Sequence, residues 1–445
     1  MRILLGACLG LHLLFLPAPL VAGSFDHAYE ISYERSALDG LSLGSDRTED
    51  RLVEEEFEFE FALEYRVNND LFLFFTAALI DETETIETAG LDESVSGLER
   101  REIGVGYFFG ETVDSLLVVG RSKFVSASQW WVWWDEELDA IRLQSAYRDV
   151  EMLLALAEEQ APENTDEDFI DPELEDVRRL MFSLAWEFSP AHSLNFYYLD
   201  QEDRSDKPDI GDFRDYDKVD EGDADLTWIG VSYLGELEFE SIGYFTIELH
   251  VAEVTGDEIV YEFEDPENGL SELDERVELD VDGSAQGALL GWTPTVLEDL
   301  TFFIGSTRAD GDPDPENGTD ESFRGNGLQG DGESFGELYR PELSNINIDM
   351  VGIVWRISEN IELALFGYDY EQQELAEEMR DVAIELDLTG ESRDLGSEID
   401  LILQIETSAG LEVILIASEF DAGRAYGSYS DETASYFSFE IAYEF

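Results

Sequence analysis

Alternation of apolar and charged side chains over residues 53–67 is the feature that most limits how this chain can fold. Aromatic and aliphatic residues recur at every second position with glutamates between them, as in Phe57-Glu58-Phe59-Glu60-Phe61. Successive side chains of a β-strand point to opposite faces. The segment therefore predicts a strand with one apolar face and one face rich in carboxylates.

The same period recurs along the chain, most clearly in residues 178–188, 237–251, 395–405 and 437–445. It predicts an all-β protein of about eighteen strands, with sixteen as the main alternative. The strands are expected near 26–37, 52–67, 70–80, 98–108, 115–125, 137–148, 151–158, 177–188, 192–202, 223–234, 237–252, 284–292, 299–309, 344–356, 360–371, 394–406, 410–420 and 433–445.

The connections between these strands alternate in length. Short turns are expected at 68–69, 149–150, 189–191, 235–236, 358–360 and 408–409. Long acidic loops are expected at 81–97, 159–176, 203–222, 253–283, 310–343, 372–393 and 421–432. A β-sandwich has no reason to alternate in this way. Short periplasmic turns and long extracellular loops are typical of a single transmembrane antiparallel β-barrel, whose apolar face meets lipid and whose polar face lines water.

Both ends of the chain fit export to a Gram-negative outer membrane. Arg2, a short apolar run to Leu16 and the small residues at 22–23 predict a signal peptide over 1–23, leaving 24–445 as the barrel. The alternating terminal strand ends in Phe445 and resembles the C-terminal signature that the barrel-insertion machinery reads. The expected surroundings are therefore outer-membrane lipid.

The charge balance excludes one class of partner and suggests a habitat. Asp and Glu number 105 against 25 Lys and Arg, a formal net charge of −80. Nucleic-acid binding requires a basic surface, so no nucleic-acid partner is expected. The acidity is interpreted as solvated loops and lumen, in a saline habitat where salt screens the repulsion. Aromatic residues near predicted strand ends suggest interfacial girdles, at Trp130, Trp131, Trp133, Trp134, Tyr197, Tyr198, Trp228 and Tyr443.

Few residues suggest chemistry. The histidines are widely spaced and Cys8 leaves with the signal peptide, so neither an enzyme nor a bound cofactor is expected. Asp310, Asp312 and Asp314 offer oxygen ligands for a weak calcium site, although Pro315 stands where a calcium loop of the EF-hand type requires glycine. The loop 310–343 is long enough to fold inward and narrow the lumen.

Rare cations at expected lumen positions are the informative polar residues. A wall of Asp and Glu favours cations, whereas arginines within it either pair with carboxylates or form a path for an anionic solute. The candidates are Arg121, Arg142, Arg179, Arg340 and Arg393.

Three stretches resemble the alginate export family of outer-membrane porins. The first is 119–142, which contains Val119-Gly-Arg-Ser-Lys-Phe, Trp133-Trp134-Asp135 and Asp139-Ala-Ile-Arg142. The second is 335–345 (FGELYRPELSN), and the third is 393–400 (RDLGSEID). The resemblance implies an eighteen-stranded barrel and, in alginate-exporting members, an arginine-rich constriction. By motif match the constriction would contain Arg121, Arg142, Arg340 and Arg393, with pairing or gating carboxylates at Asp135, Asp139, Glu342, Asp394, Glu398 and Asp400.

Three functions remain open from the sequence. The first is a passive channel for a charged polysaccharide, an oligosaccharide or a small solute. The second is a structural or adhesive barrel with a plugged lumen. The third is an enzyme at the barrel rim, which the sparse histidines argue against.

Overall fold

The computed structural model describes most of the chain. Its described residues are 24–40, 43, 51–86, 91–110, 112–126, 136–162, 164, 169–205, 207–215, 218–220, 222–264, 269–315, 317–328, 335–380, 382–384 and 386–445. The expected signal peptide, 1–23, the tryptophans at 130–134 and Asp135 all lie outside these residues. None of the helices in the described part of the chain is long and apolar enough to cross a membrane.

Eighteen strands form the wall. They are β1 (Ser24–Asp39), β2 (Arg51–Arg66), β3 (Leu71–Ile86), β4 (Leu91–Phe109), β5 (Asp114–Phe124), β6 (Glu136–Tyr147), β7 (Val150–Glu158), β8 (Val177–Ser189), β9 (His192–Asp203), β11 (Gly222–Phe239), β12 (Gly243–Phe263), β13 (Leu270–Pro294), β14 (Leu300–Ala309), β16 (Ile346–Ser358), β17 (Ile361–Gln372), β18 (Asp394–Glu406), β19 (Leu411–Ala422) and β20 (Thr433–Glu444). Two short strands, β10 (Phe213–Asp215) and β15 (Thr319–Asp320), belong to loops.

The wall closes on itself. Each wall strand pairs antiparallel with the next, and β1 pairs with both β2 and β20. Closure leaves no unpaired edge, which is what allows a sheet to stand in lipid. The predicted eighteen-stranded antiparallel barrel is confirmed, and the sixteen-stranded alternative is wrong.

The alternation in the sequence matches the two faces of the wall, one apolar and outward and the other polar and toward the lumen. Outward positions are apolar and exposed, as at Phe57, where 46% of the residue is accessible, and Ile399, where 60% is. Their neighbours in sequence, such as Glu58 and Glu398, therefore point into the lumen. An exposed apolar belt of this kind suits contact with lipid.

Three connections differ from the sequence prediction. Residues 235–236 were expected to turn, but β11 continues through them to Phe239 and the turn lies at 240–242. The pairing of Gly235 with both Ile247 and His192 shows why, since this glycine is a ladder residue of the wall. The expected loops 81–97 and 253–283 are also wrong, because β3, β4, β12 and β13 extend far into them as paired strands.

The aromatic prediction is wrong for Trp228 and Tyr197. Both are buried, and Trp228 lies next to the outward-facing Ile229, so its ring points into the lumen rather than to an interface. Successive side chains of a strand point to opposite faces, so a shift of one residue moves a side chain from the lipid face to the lumen face. Tyr443, by contrast, is exposed on the outer face.

Candidate functional site

Glutamates dominate one side of the lumen, on four neighbouring strands. We call this set the carboxylate wall. Its members are Glu440 and Glu444 of β20, Glu30 and Glu34 of β1, Glu54, Glu56, Glu58 and Glu60 of β2, and Glu82 and Glu84 of β3. Several are directly opposite one another across strands, as in the row Glu440–Glu34–Glu56–Glu82.

Like charges facing each other across strands are destabilising. Neighbouring groups relieve only part of this repulsion. The Arg101 guanidinium lies 3.3 Å from the Glu58 carboxylate, and the hydroxyls of Ser36 and Ser438 donate to Glu54 and Glu34. The arrangement thus concentrates negative charge along one side of the lumen.

The described parts of the segment between β14 and β16 (310–315, 317–328 and 335–345) fold into the barrel, and we call them the inward loop. Its described residues include Phe323, Leu328, Leu338 and Leu343, all buried against the interior of the barrel. The sequence indicated only that this connection is long enough to fold inward. Two branches of the loop bind different parts of the wall.

One branch is anchored by Glu398 of β18. One oxygen of its carboxylate accepts the backbone N–H groups of Glu337 and Leu338, both at 2.8 Å, and the other accepts that of Tyr339 at 2.9 Å. The Tyr370 hydroxyl lies 3.1 Å from the second oxygen. Hydrogen bonds to an ionised acceptor are the strong ones, so this buried carboxylate fixes the loop against the lumen wall.

The anchor requires a glycine at position 336. Its φ is +124°, and a Cβ at this position would lie 2.8 Å and 2.9 Å from the two Glu398 oxygens. Only glycine adopts this backbone without strain and leaves room for the carboxylate. The glycine and the glutamate, which belong to different motifs of the sequence, therefore form one structural unit.

Tyr339 is where three connections meet. Its fully buried ring stacks on Phe420 with centroids 4.7 Å apart, and its hydroxyl accepts from Tyr426 in the 423–432 connection at 3.2 Å. Its carbonyl accepts the N–H of Ala383 from the 373–393 connection. Two further connections, 373–393 and 423–432, thus pack against the inward loop at Tyr339.

Arg340 points from the anchor toward the carboxylate wall. Its Nε donates to the Glu337 carbonyl at 2.9 Å, and its guanidinium lies over the Tyr436 ring and donates to the hydroxyl of that tyrosine. Tyr436 in turn feels the charges of Glu34 and Glu54. Arg340 is therefore the predicted arginine that shares an aromatic neighbour with the carboxylate wall.

The other branch of the inward loop is held by residues that the sequence analysis did not select. The buried guanidinium of Arg324 pairs with Glu258 of β12 and with Asp320. The backbone carbonyl of Arg324 accepts the indole N–H of Trp228 at 3.0 Å. The carboxylate of Glu342 accepts the N–H of Gly325 and so joins the two branches. The available signal was an arginine within a glycine-rich acidic stretch.

Arg121 and Asp139 belong to another cluster, near the external ends of β5 and β6. Arg121 pairs with Glu159 at 2.8 Å, while both oxygens of Asp139 bind Arg100, at 2.7 and 2.9 Å. Arg100 also donates to the Ala161 carbonyl. The two predicted residues are cross-strand neighbours, but each pairs with a residue that the motifs did not include.

Burial shifts the protonation of this cluster. The Glu159 carboxyl follows the end of β7, and its burial raises its pKa despite the lowering effect of Arg121. Arg179, another candidate from the sequence, is buried and donates to the Gln201 side chain at 3.0 Å.

The remaining predicted arginines occupy other surroundings. The guanidinium of Arg142 lies 4.9 Å from the Phe124 ring centroid and donates to the Lys123 carbonyl. Arg393 pairs with Glu374 at 2.7 Å at the exposed start of β18, where Asp394 pairs with Arg424 at 2.9 Å. The motif residues thus lie at several separate sites. Among the described residues, the stretches 335–345 and 393–400 are the ones from different motifs that contact each other.

The aspartates of the suggested calcium loop bind protein groups. Asp310 accepts from the Ser284 hydroxyl, and Asp312 accepts the N–H of Asp314. Among the described residues, the acidic oxygens that converge within 4.8 Å are those of Asp203, Asp220 and Asp223 instead. Ser205 and Tyr261 already donate to Asp223.

Comparison with solved structures places the fold among outer-membrane proteins. The OprD protein of Pseudomonas aeruginosa aligns with a TM-score of 0.59 at 11% identity, over 96% of this chain and 95% of that one. OccK5 (OpdH) of the same organism gives 0.57 at 11% identity, over 94% and 98%. OccAB4 of Acinetobacter baumannii gives 0.58 at 9% identity, over 94% and 98%. At these identities the likeness concerns the fold.

Sequence comparison identifies the family. A search of curated proteins gave no significant match. The profile of the alginate export family matches residues 68–439, which includes all three stretches that resembled it. The chain is an outer-membrane porin-like β-barrel that belongs to the alginate export family.

Proposed function

We propose that the barrel is a passive outer-membrane channel for charged oligosaccharides or small charged solutes, with a preference for cations. The carboxylate wall is the observation that carries this proposal. Rows of glutamates opposite one another lower the stability of the barrel. A water-filled, conducting lumen would explain why the chain retains them. Transport would follow the concentration gradient.

The constriction that we propose lies between Arg340 and the carboxylate wall. Arg340 is held by the anchored inward loop and contacts Tyr436, which the charges of Glu34 and Glu54 also reach. Arg121, Arg142 and Arg393, with Asp139, Glu342, Asp394, Glu398 and Asp400, are proposed to support the wall and loops around this passage. The pairing of Arg121 and Arg393 with carboxylates argues against a continuous path for a polyanion such as alginate.

The membrane context supports two smaller proposals. Phe445 exchanges backbone hydrogen bonds with Tyr29 and stacks on its ring at 5.5 Å, which completes closure. We propose that the insertion machinery reads this terminal strand, after removal of a signal peptide at 1–23. A saline habitat, in which salt screens the carboxylate wall, is proposed from the same charge.

Planar-bilayer recording of the refolded barrel with added oligouronates tests the proposal. We expect open-channel current that oligouronates do not block. A barrel that inserts but conducts no current would favour the structural or adhesive alternative with a plugged lumen. Block by oligouronates that Arg340→Ala relieves would show instead that an anion path exists.

A further inference from the structure

The anchor residue Glu398 has an acidic neighbour two positions along β18. Asp400 faces the lumen as Glu398 does, because Ile399 between them is exposed on the outer face. The Asp400 side chain is fully buried, and among charged groups Glu398 acts on it most strongly. Two carboxyl groups therefore lie together beneath the inward loop.

The two carboxyl groups differ in the donors available to them. Glu398 accepts three backbone N–H groups and lies within hydrogen-bonding distance of the Tyr370 hydroxyl. Among the described residues, the Ser418 hydroxyl is the one donor beside Asp400, and it does not reach good hydrogen-bond geometry with either oxygen. A buried carboxylate with so few donors is costly, so the ionised form of Asp400 does not suit its surroundings.

The described groups around the pair provide no positive charge. Those that face it are Glu337 and Tyr339 from the inward loop, Tyr368 and Tyr370 from β17, and Ser418 from β19. All of these are acidic or neutral. A second negative charge here would thus meet the charge of Glu398 with no cation among these groups to compensate it.

Two adjacent buried carboxyl groups do not both ionise readily, and the one with more donors keeps the charge. We propose that Glu398 and Asp400 share one proton, carried by Asp400, and that this proton keeps the Glu398 anchor and the inward loop in place. The Asp400 O–H then donates to the Glu398 carboxylate. Asp400 is a positioning residue that acts through Glu398.

The inference rests on the proposed function only in that the inward loop narrows the passage. Loss of the proton at alkaline pH leaves two carboxylates in contact, so their repulsion loosens the anchor. Asparagine at position 400 supplies a permanent N–H donor of nearly the same shape. Asp400→Asn should therefore hold the loop at every pH.

Infrared difference spectroscopy of the refolded full-length barrel, titrated with pH, tests the shared proton. We expect a carbonyl stretch of a protonated carboxyl at neutral pH that shifts when aspartate is labelled with ¹³C and disappears in Asp400→Asn. Asp349→Asn, at an exposed aspartate of β16, is the matched control and should retain the band. If Asp400→Asn fails to fold, a labelled wild-type band that persists at about pH 8, well above the pKa of about 6 of Asp220, still gives the answer.

Hydrogen exchange of the Glu337, Leu338 and Tyr339 amides gives the functional readout. In the wild type, exchange should accelerate at alkaline pH beyond the intrinsic base catalysis seen in Asp349→Asn and in unstructured peptides. In Asp400→Asn that extra acceleration should vanish. Absence of the aspartate band, or the same extra acceleration in Asp400→Asn, would overturn the proposal, as would a metal ion retained after chelation in place of the proton.

These measurements are independent of conduction. A barrel that carries no current but shows the band and the exchange behaviour would refute the channel and leave the proton sharing intact. A conducting barrel without the band would refute the proton sharing alone.

Discussion

Replacement of Glu398 by glutamine should release the inward loop while the barrel stays folded. The amide has one acceptor, so at least one N–H donor of the loop must face an NH₂ group. If the amide oxygen takes the place that binds Glu337 and Leu338, the N–H of Tyr339 is left without an acceptor. The opposite orientation leaves two N–H groups unsatisfied.

The magnitude follows from these bonds. A buried unsatisfied N–H costs about 1–3 kcal/mol, and loss of charge from the acceptor weakens each remaining bond by about 1 kcal/mol. With two bonds weakened and one lost, local stability should fall by about 3–5 kcal/mol. Because about 1.4 kcal/mol corresponds to a tenfold change, the amides of Glu337–Tyr339 should exchange at least about a hundredfold faster.

Hydrogen exchange followed by mass spectrometry on the refolded barrel measures this effect. Glu419→Gln, at an exposed glutamate on the outer face of β19, is the matched control and should leave the exchange of these amides unchanged. Protection of the 337–339 amides in Glu398→Gln equal to that in the control would refute the idea that Glu398 holds the loop.

Three further predictions follow from the same structure. The double substitution Glu56→Gln and Glu60→Gln should lower the cation selectivity measured by reversal potential, because it removes two negative charges from the carboxylate wall. It should also raise the unfolding midpoint in urea, because each change relieves a cross-strand Glu–Glu repulsion of about 0.2–1 kcal/mol. An unchanged selectivity would show that these residues do not face the conduction path. Arg324→Ala removes the buried cation between the partly buried carboxylates of Glu258 and Asp320, and among the described residues only Asp320 keeps a second cation nearby, Arg380 at 3.8 Å. The 317–328 amides should therefore lose about 3 kcal/mol of protection, whereas Arg276→Ala, at a partly exposed pair, should have little effect on them. Burial raises the pKa of the loop residue Asp220 to about 6. A raised pKa means that the folded loop prefers the protonated form, so local protection at the adjoining start of β11, residues 222–225, should fall as pH rises through about 6. Protection that increases over this interval would contradict the assignment.

The barrel could be predicted from the sequence because its main constraint is local. In a strand between lipid and water, alternate side chains face lipid and lumen, so the alternation from Phe57 to Phe61 identified both the strand and its apolar face. The same reasoning misplaced the turn at Gly235. A glycine beside a charged residue resembles a turn in the sequence, and its place in two ladders becomes visible only once the neighbouring strands are aligned.

The site was less accessible to sequence reasoning because its contacts are long-range. Glu398 was selected as a pairing carboxylate, but its partners are backbone N–H groups about sixty positions away, which carry no side-chain signal. Trp228 looked like a girdle residue, although its indole binds the inward loop. Arg324 and Arg100 stood outside the motifs, and their importance depends on burial beside carboxylates from other strands.

The reversal potential of a single barrel in a potassium chloride gradient tests the central claim most directly. A water-filled lumen lined by the carboxylate wall should admit potassium in preference to chloride, so the potential should lie on the cation side and decline as ionic strength rises and screens the wall. A potential on the anion side at low salt would contradict the account, because it would mean that the arginines and not the glutamates set the field along the conduction path.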